Sequence, residues 1–341
     1  MKRESNIELL RIIAMFMVLG LHATFSAIGP VEPQEINKYP LQSFIQLTSE
    51  NIYILGVNVF VLISGWFGIK FKTKGLSNYI FQCLFFSCIV YIPFFIIGEI
   101  DINKINIISI FLLYNNAYWF VWAYLVLYIF SPVLNSFLEN SDKKNIKKII
   151  ILLFIAQTII TIFTRVGFYK VGFSPLSFIN LYLLARYFKL YMILNGKYRY
   201  FLIFFVSVFS NTLIYYLPTY FHLNADSIYS ISKAYINPFN IIGALSIVIF
   251  FSKLKINSRV VNWFAASSFA VYLLHMHCCI EPYYLEYAKD IFNKFSGMVY
   301  LCVIACFMIT VFVISVLIDK VRLACFNFIW NRYEKRFIKH Q

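Results

Sequence analysis

Two ionisable residues interrupt the first long apolar stretch of the chain, Arg11 and His22. The histidine follows the arginine by eleven positions, which on an α-helix is about three turns and roughly 16 Å along the axis. Both side chains therefore fall on one stripe of that helix. An ionisable side chain inside a membrane-length apolar run usually faces a bundle interior or a water-filled cavity. This stripe is therefore expected to line a polar space. Two simpler interpretations stay open: Arg11 as a surface anchor paired with Glu8 three positions earlier, and His22 as a histidine that is hydrogen-bonded between helices.

A second candidate histidine, His275, lies near the end of a later apolar stretch, residues 262–281. If that stretch begins on the cytoplasmic side, helix rise places His275 about 20 Å deep, level with His22. Two histidines at one depth on different helices could share a cavity, whereas His277 is about 200° further round the helix and faces elsewhere. No acidic third ligand lies at that depth, so no metal site is expected there.

Aromatic residues crowd the segment 118–124, which reads Tyr-Trp-Phe-Val-Trp-Ala-Tyr. Its two indoles, Trp119 and Trp122, have two interpretations. They are typical of an aromatic belt at a membrane interface, and they are also suited to form a platform for a sugar or an acyl group. The second interpretation makes both tryptophans candidate substrate-binding residues.

A serine and a glycine interrupt another apolar stretch, at Ser64 and Gly65. Small residues at such positions permit close packing of membrane helices, and the Ser64 hydroxyl is also a candidate substrate-binding group. Two lysines follow, Lys70 and Lys72. They are expected to be charges that set topology, and they are also candidates to meet a phosphate.

The composition indicates that all these residues lie in a membrane protein. Of the 341 residues, 61% are hydrophobic and only 13% are charged, where a soluble domain has about 25% charged residues. We therefore expect an all-α, polytopic bundle that forms a single domain, residues 1–341. The formal net charge of +15 is explained by cytoplasmic loops rich in Lys and Arg, so no nucleic-acid partner is expected.

About ten stretches are long and apolar enough to span a bilayer. They lie near residues 9–28, 50–69, 77–98, 106–136, 148–164, 176–194, 200–217, 236–252, 262–281 and 297–318. The fourth is too long for one crossing, and a half-embedded helix near 106–114 is expected to precede the span proper. With ten spans, 23 Lys and Arg residues fall on the side of the termini and 7 on the other. The positive-inside rule then places both termini in the cytoplasm.

The seven cysteines show no spacing that suits a zinc site. Most fall in or beside apolar stretches, where cysteine packs as a small hydrophobic residue. We therefore expect neither a metal nor a tightly bound cofactor.

Several of these segments resemble, in order, the patterns of the membrane acyltransferase-3 family. The arginine and histidine of the first stretch are similar to its entry signature, and the preceding Ile-Glu-Leu-Leu resembles its acidic-x-Leu-Arg start. Segments 60–67, 118–124 and 268–275 also resemble family patterns. The resemblance covers essentially the whole chain. One departure is that many members carry an arginine pair just after the second span, where this chain has lysines.

The resemblance implies transfer of an acyl group, usually acetyl, from cytoplasmic acyl-CoA to a hydroxyl of a cell-surface or lipid-linked glycan. Arg11, with Lys70 and Lys72, would hold the CoA phosphates. His22 would be the general base or a transient acyl carrier, and His275 would orient the acceptor or stabilise the oxyanion. The Asn, Ile, Lys, Tyr and Phe bias resembles that of an AT-rich bacterium, so the expected location is the bacterial cytoplasmic membrane.

A carrier or flippase for a glycan or a small solute is the alternative function. Ten spans with a buried polar stripe would serve transport as well. Transporters often show inverted repeats and spans broken by Gly or Pro. No internal repeat is visible in this sequence, and Gly and Pro within the spans are few, which favours the enzyme.

Overall fold

The computed structural model describes residues 4–100, 118–163, 172–223 and 226–335, and within these ranges the chain is helical with short connections. The helices are α1 (Ser5–Leu21), a π-helical turn (His22–Ser26), α2 (Pro33–Lys38), α3 (Pro40–Tyr53), α4 (Leu55–Phe67), α5 (Thr73–Ile96), α6 (Trp119–Asn140), α7 (Lys143–Phe163), α8 (Pro175–Tyr191), α9 (Lys197–Tyr220), α10 (Asp226–Ser232), α11 (Pro238–Ser252), α12 (Arg259–Ala265), α13 (Ser268–His275), α14 (Glu281–Lys294) and α15 (Gly297–Tyr333). They form two compact units. Unit 1 is Met1–Lys70 with Trp122–Asn262, and unit 2 is Phe71–Val121 with Trp263–Gln341.

Unit 1 is built around α4, which packs against α1, α8 and α11. Ten of the thirteen α4 residues are buried, as expected for a helix that is apolar on every face. Two glycines let its neighbours approach closely. A Cβ at Gly56 would lie 2.8 Å from the Ala14 carbonyl oxygen, and one at Gly65 would lie 2.6 Å from that of Tyr182. The predicted close packing at Gly65 is thus confirmed.

Unit 2 packs α13 and α15 against α5 around a buried ion pair. Arg322, only 1% exposed, forms a 2.8 Å ion pair with Asp319 one turn earlier on α15. The Gln82 side-chain amide donates to the same carboxylate at 2.9 Å, and Arg322 donates to the Asn78 side-chain oxygen at 2.5 Å. Two polar residues of α5 therefore add hydrogen bonds to the charged pair of α15, while Asp319 Oδ2 is buried without a hydrogen-bond partner.

The predicted membrane bundle is confirmed at the level of fold class. Six helical segments of the described residues are long and apolar enough to cross a bilayer, by length and composition: Ser5–Ser26, Pro40–Phe67, Thr73–Ile96, Trp119–Asn140, Lys197–Tyr220 and Gly297–Tyr333. Helix α11 is apolar but shorter. The count of ten spans, the cytoplasmic termini and the single domain stay predictions, and the half-embedded helix expected near 106–114 lies outside the described residues.

Three local predictions were wrong. The ninth stretch is not one helix, because two short helices, α12 and α13, meet at a turn over residues 266–267. The polar segment 29–49 lies between the first two predicted spans and was therefore expected to be a loop, but α2 and most of α3 lie within it. The last helix continues fifteen residues past the predicted end at 318. Arg322 lies in this continuation, where it is buried and paired with Asp319.

Replacing Asp319 by Asn is expected to destabilise unit 2 strongly, because the change leaves the buried Arg322 guanidinium without a countercharge. Breaking a buried pair in this way costs about 3–5 kcal/mol. The apparent melting temperature of the purified protein in detergent measures the effect. The exposed pair Asp290–Lys294 supplies the control, since Asp290→Asn should change stability by less than about 1 kcal/mol. Equal losses in the two variants would contradict the structural role of the buried pair.

Candidate active site

Arg11 and His22 lie on one continuous helical segment of unit 1. Helix α1 is uninterrupted from Ser5 to Leu21, so the predicted α-helical geometry holds over all the residues that separate the two side chains. At His22 the backbone changes to a π-helical turn. Single π-helical turns occur frequently at functional sites, where they re-aim side chains. The His22 side chain is half-buried.

The guanidinium of Arg11 pairs with Glu8, one turn earlier on α1. Nη1 lies 3.1 Å from both carboxylate oxygens, and the Arg11 side chain remains 31% exposed. This is the local ion pair that the i, i+3 spacing permits. It partly neutralises Arg11 and fixes its orientation, while leaving part of the guanidinium accessible to an anion.

Ser64 of α4 connects to α6 through Tyr124. The Ser64 hydroxyl donates to the Phe60 carbonyl oxygen at 3.1 Å. Its oxygen lies 3.2 Å from the Tyr124 hydroxyl, which can therefore donate to it. Tyr124 in turn interacts electrostatically with Arg11. The serine that the sequence singled out is therefore in hydrogen-bond contact with a tyrosine that lies within electrostatic range of Arg11, and its role toward a substrate stays a prediction.

Arg186 of α8 lies at the end of α4, and in the sequence it was counted only among the 23 basic residues on the side of the termini. Its Nη1 donates a long 3.5 Å hydrogen bond to the Trp66 carbonyl oxygen, and its Nε is buried without a hydrogen-bond partner. Within the described ranges it has no carboxylate partner. Arg186 lies inside the sixth apolar stretch. An ionisable residue within such a stretch is the signal that selected Arg11, and it could have identified Arg186 as well.

Gly68 makes room for this guanidinium. It ends α4 with φ +74°, a left-handed conformation that favours glycine and commonly terminates helices. A Cβ there would lie 3.3 Å from Arg186 Nη1. The turn after α4 therefore ends the helix, and the Arg186 guanidinium packs against it.

A closed set of hydrogen bonds holds the same turn in place. The Ile69 amide donates to the Tyr182 hydroxyl at 3.0 Å, this hydroxyl donates to the Asn135 side-chain oxygen at 2.6 Å, and the Asn135 amide donates to the Ile69 carbonyl at 2.8 Å. Tyr182 also interacts electrostatically with Arg186 and with Tyr124. Arg11, Tyr124, Tyr182 and Arg186 are thus electrostatic neighbours in unit 1, and we call these four side chains the polar cluster.

Further basic side chains lie at or near this turn. Lys70 is exposed after α4, and Lys72 is exposed just before α5 begins. The Lys189 ammonium lies over the Trp66 ring at 4.9 Å from its centroid. The predicted phosphate-binding role of Lys70 and Lys72 stays a prediction, and both are accessible to an anion in solution.

The two tryptophans on α6 differ in exposure. Trp122 is 44% exposed, which matches the aromatic-belt interpretation. Trp119 is half-buried, and its ring packs edge-on against Phe120 with centroids 6.0 Å apart. Their role as a substrate platform stays a prediction.

His275 belongs to unit 2 and is fully buried at the end of α13. Its Nδ1 lies 2.5 Å from the Val271 carbonyl oxygen. Since a carbonyl only accepts, Nδ1 carries the proton, and Nε2 is the basic nitrogen of the neutral ring. The ring packs against Tyr284, centroids 5.2 Å apart. The turn before α13 removes the continuous helical rise on which the predicted depth rested, so a cavity shared with His22 stays a prediction.

Comparison with known families decides the class of this protein. The model of the acyltransferase domain that defines the acyltransferase-3 family matches residues 4–320. The chain belongs to the acyltransferase-3 family. Searches of curated proteins and of solved structures gave no significant match.

Family membership and the apolar helices together make this protein a membrane acyltransferase. The matched residues include Arg11, His22 and His275, as well as Arg186. The polar cluster therefore lies within the acyltransferase domain.

Replacing Tyr182 by Phe is expected to lower the stability of the acyltransferase, because the Ile69 amide loses its acceptor and Asn135 loses its donor. Leaving such buried groups unsatisfied costs about 1–3 kcal/mol. The thermal melting of purified protein reports the change. Tyr187→Phe, on the same helix, is the control, because its hydroxyl makes no hydrogen bond within the described part of the chain. A Tyr182→Phe variant as stable as this control would show that the hydrogen-bonded set does not hold the turn.

Proposed function

We propose that this acyltransferase moves an acyl group, acetyl in the first instance, from cytoplasmic acyl-CoA to a hydroxyl of a cell-surface or lipid-linked glycan. The observation that supports the proposal is the uninterrupted helix from Arg11 to His22, within a chain that belongs to the acyltransferase-3 family. The separation of about 16 Å along that helix is of the order of an extended pantetheine arm. One helix would then hold both ends of the donor.

The polar cluster is the proposed site for the donor phosphates. Guanidinium groups bind phosphate through paired, charge-assisted hydrogen bonds. Arg11 already forms an ion pair with Glu8, whereas Arg186 has no carboxylate partner in the described residues. Arg186 therefore has the greater capacity for an added anion. The exposed lysines Lys70 and Lys72 would raise the local positive potential and attract the donor.

His22 is the proposed base. Its neutral imidazole would take the proton of the acceptor hydroxyl as the oxygen attacks the thioester carbonyl. The carbon–sulfur bond then breaks, CoA leaves as a thiolate, and the thiolate receives the proton from the imidazolium. The variant in which His22 first carries the acyl group uses the same nitrogen as nucleophile. His275 would orient the acceptor or stabilise the oxyanion, and acyl-CoA acts as a co-substrate, with no tightly bound cofactor.

The proposed setting is the bacterial cytoplasmic membrane, with ten spans and both termini in the cytoplasm. The asymmetry of 23 against 7 basic residues supports this topology. It would place the Arg11 end of α1 at the cytoplasmic surface, where acyl-CoA is available, and His22 in the outer half of the bilayer.

Replacing His22 by Ala is expected to lower acyl transfer by about 10²–10⁴-fold, the contribution of a positioned general base. Membranes that contain the variant are incubated with radiolabelled acetyl-CoA, and label in extracted surface glycan is counted. His222→Asn is the control, because His222 is exposed with φ +60° and asparagine tolerates that conformation. Near wild-type labelling by His22→Ala would overturn the mechanism.

Acetyl-CoA is expected to raise the melting temperature of the purified wild-type protein by mass action. Arg186→Gln should weaken this effect and raise the KM for acetyl-CoA by about 10–100-fold, the value of a charged hydrogen bond of about 1.5–3 kcal/mol, with a smaller change in kcat. Arg199→Gln, at an exposed arginine near the start of α9, should change neither. No stabilisation of the wild type would contradict a CoA donor and favour the carrier, whereas equal behaviour of the two variants would contradict only the role of Arg186.

A further inference from the structure

We propose that His277, Cys278 and Cys279 of unit 2 form a binding site for a thiophilic divalent cation of the zinc class. The three residues lie in the turn between α13 and α14. One ligand atom from each, Nδ1 of the histidine and Sγ of each cysteine, lies within 4.8 Å of the others. The site uses none of the residues proposed for acyl transfer, although His275 lies two positions before His277, and it does not depend on the proposed function.

The spacing of the ligand atoms suits a tetrahedral metal ion. Cys278 Sγ lies 3.9 Å from Cys279 Sγ and 3.9 Å from His277 Nδ1. Zinc–sulfur bonds of about 2.3 Å at a tetrahedral angle place two sulfur ligands about 3.8 Å apart. The three ligand atoms lie within 4.8 Å of one another, so an ion can contact all of them once the side chains close in by up to about 1 Å.

A hydrogen bond identifies the unprotonated nitrogen of the histidine. The Cys279 amide donates to His277 Nδ1 at 3.2 Å, so Nδ1 carries the lone pair that a metal would use. The ring packs edge-on against Tyr91, centroids 4.5 Å apart, and more loosely against Tyr118. These contacts limit rotation of the ring, and a bound ion would take over the lone pair from the amide.

The surroundings of Cys278 include a hydrogen-bond donor for a metal-bound sulfur. The Tyr91 hydroxyl lies 2.8 Å from Cys278 Sγ and can donate to a thiolate there. On binding, the two thiols release their protons, and the ion gains two sulfur ligands and one nitrogen ligand. Two sulfur atoms and one imidazole are a ligand set that selects zinc-like ions over magnesium or calcium. A water molecule or Glu281, which interacts electrostatically with Cys278, would supply the fourth ligand.

The sequence had pointed away from this site for a clear reason. Zinc patterns in sequences are recognised from two or more residues between cysteines, whereas here the ligands are consecutive. The turn that follows α13 is what brings the three side chains to one point, and it is not visible from spacing.

Cobalt binding tests the proposal, because Co²⁺ substitutes for Zn²⁺ and its bonds to thiolates give charge-transfer absorption in the near ultraviolet. The purified full-length protein is freed of metal with a chelator, kept reduced with a phosphine, and titrated with Co²⁺. We expect charge-transfer absorption that saturates at one ion per chain and disappears when Zn²⁺ is added. Zn²⁺ should also slow the alkylation of Cys278.

The decisive variant is Cys278→Ser, because Cys278 is exposed and serine keeps the hydrogen bond to Tyr91 while losing the thiolate. It should weaken Co²⁺ binding by at least about tenfold, since even loss of an outer-shell partner costs that much, and should remove most of the charge-transfer absorption. The double variant Cys302→Ser/Cys306→Ser, at two exposed cysteines of α15, should leave both unchanged. Absence of the band in the wild type would overturn the proposal, as would an unchanged spectrum in Cys278→Ser.

Discussion

The cost of burying charge in a largely apolar chain is the constraint on which the rest of this structure depends. A buried ion without a partner is far more expensive than a paired one. Three acidic side chains are buried in the described residues, and a basic nitrogen lies within 2.8–3.1 Å of each. The pairs are Glu8–Arg11, Glu50–Lys233 and Asp319–Arg322. Each buried carboxylate of the described residues is therefore neutralised by a neighbouring cation. A half-buried cation without such a partner is an exception that points to a function.

Arg186 is such an exception among the described residues. It keeps one long hydrogen bond to a backbone carbonyl and otherwise rests on Gly68. Hydrogen bonds of Tyr182 and Asn135 hold the turn after α4 in place. None of them involves the Arg186 guanidinium. A guanidinium that is positioned by packing and left without a countercharge can accept a phosphate without first breaking an ion pair. This arrangement connects the packing of unit 1 to the proposed donor site.

The packing of α4 makes that arrangement possible. Gly56 and Gly65 bring the backbones of α1 and α8 close to α4, so α4 packs directly against the helices that carry Arg11 and Arg186. In unit 2, too, the backbone conformation brings polar side chains together. There a turn places His277, Cys278 and Cys279 together, and two tyrosine rings hold the histidine in place.

The sequence by itself determined the fold class, the family resemblance and the helix shared by Arg11 and His22, because composition and short-range periodicity are local properties. The Arg11–Glu8 pair is equally local. Tertiary structure alone decided which remote groups meet. Arg186 reaches Trp66 across 120 positions, and Gln82 reaches Asp319 across 237. No pattern of spacing encodes such contacts, because they depend on how whole helices pack. The break before α13 depends on the same packing, since a continuous apolar run gives no sign of where a helix must turn.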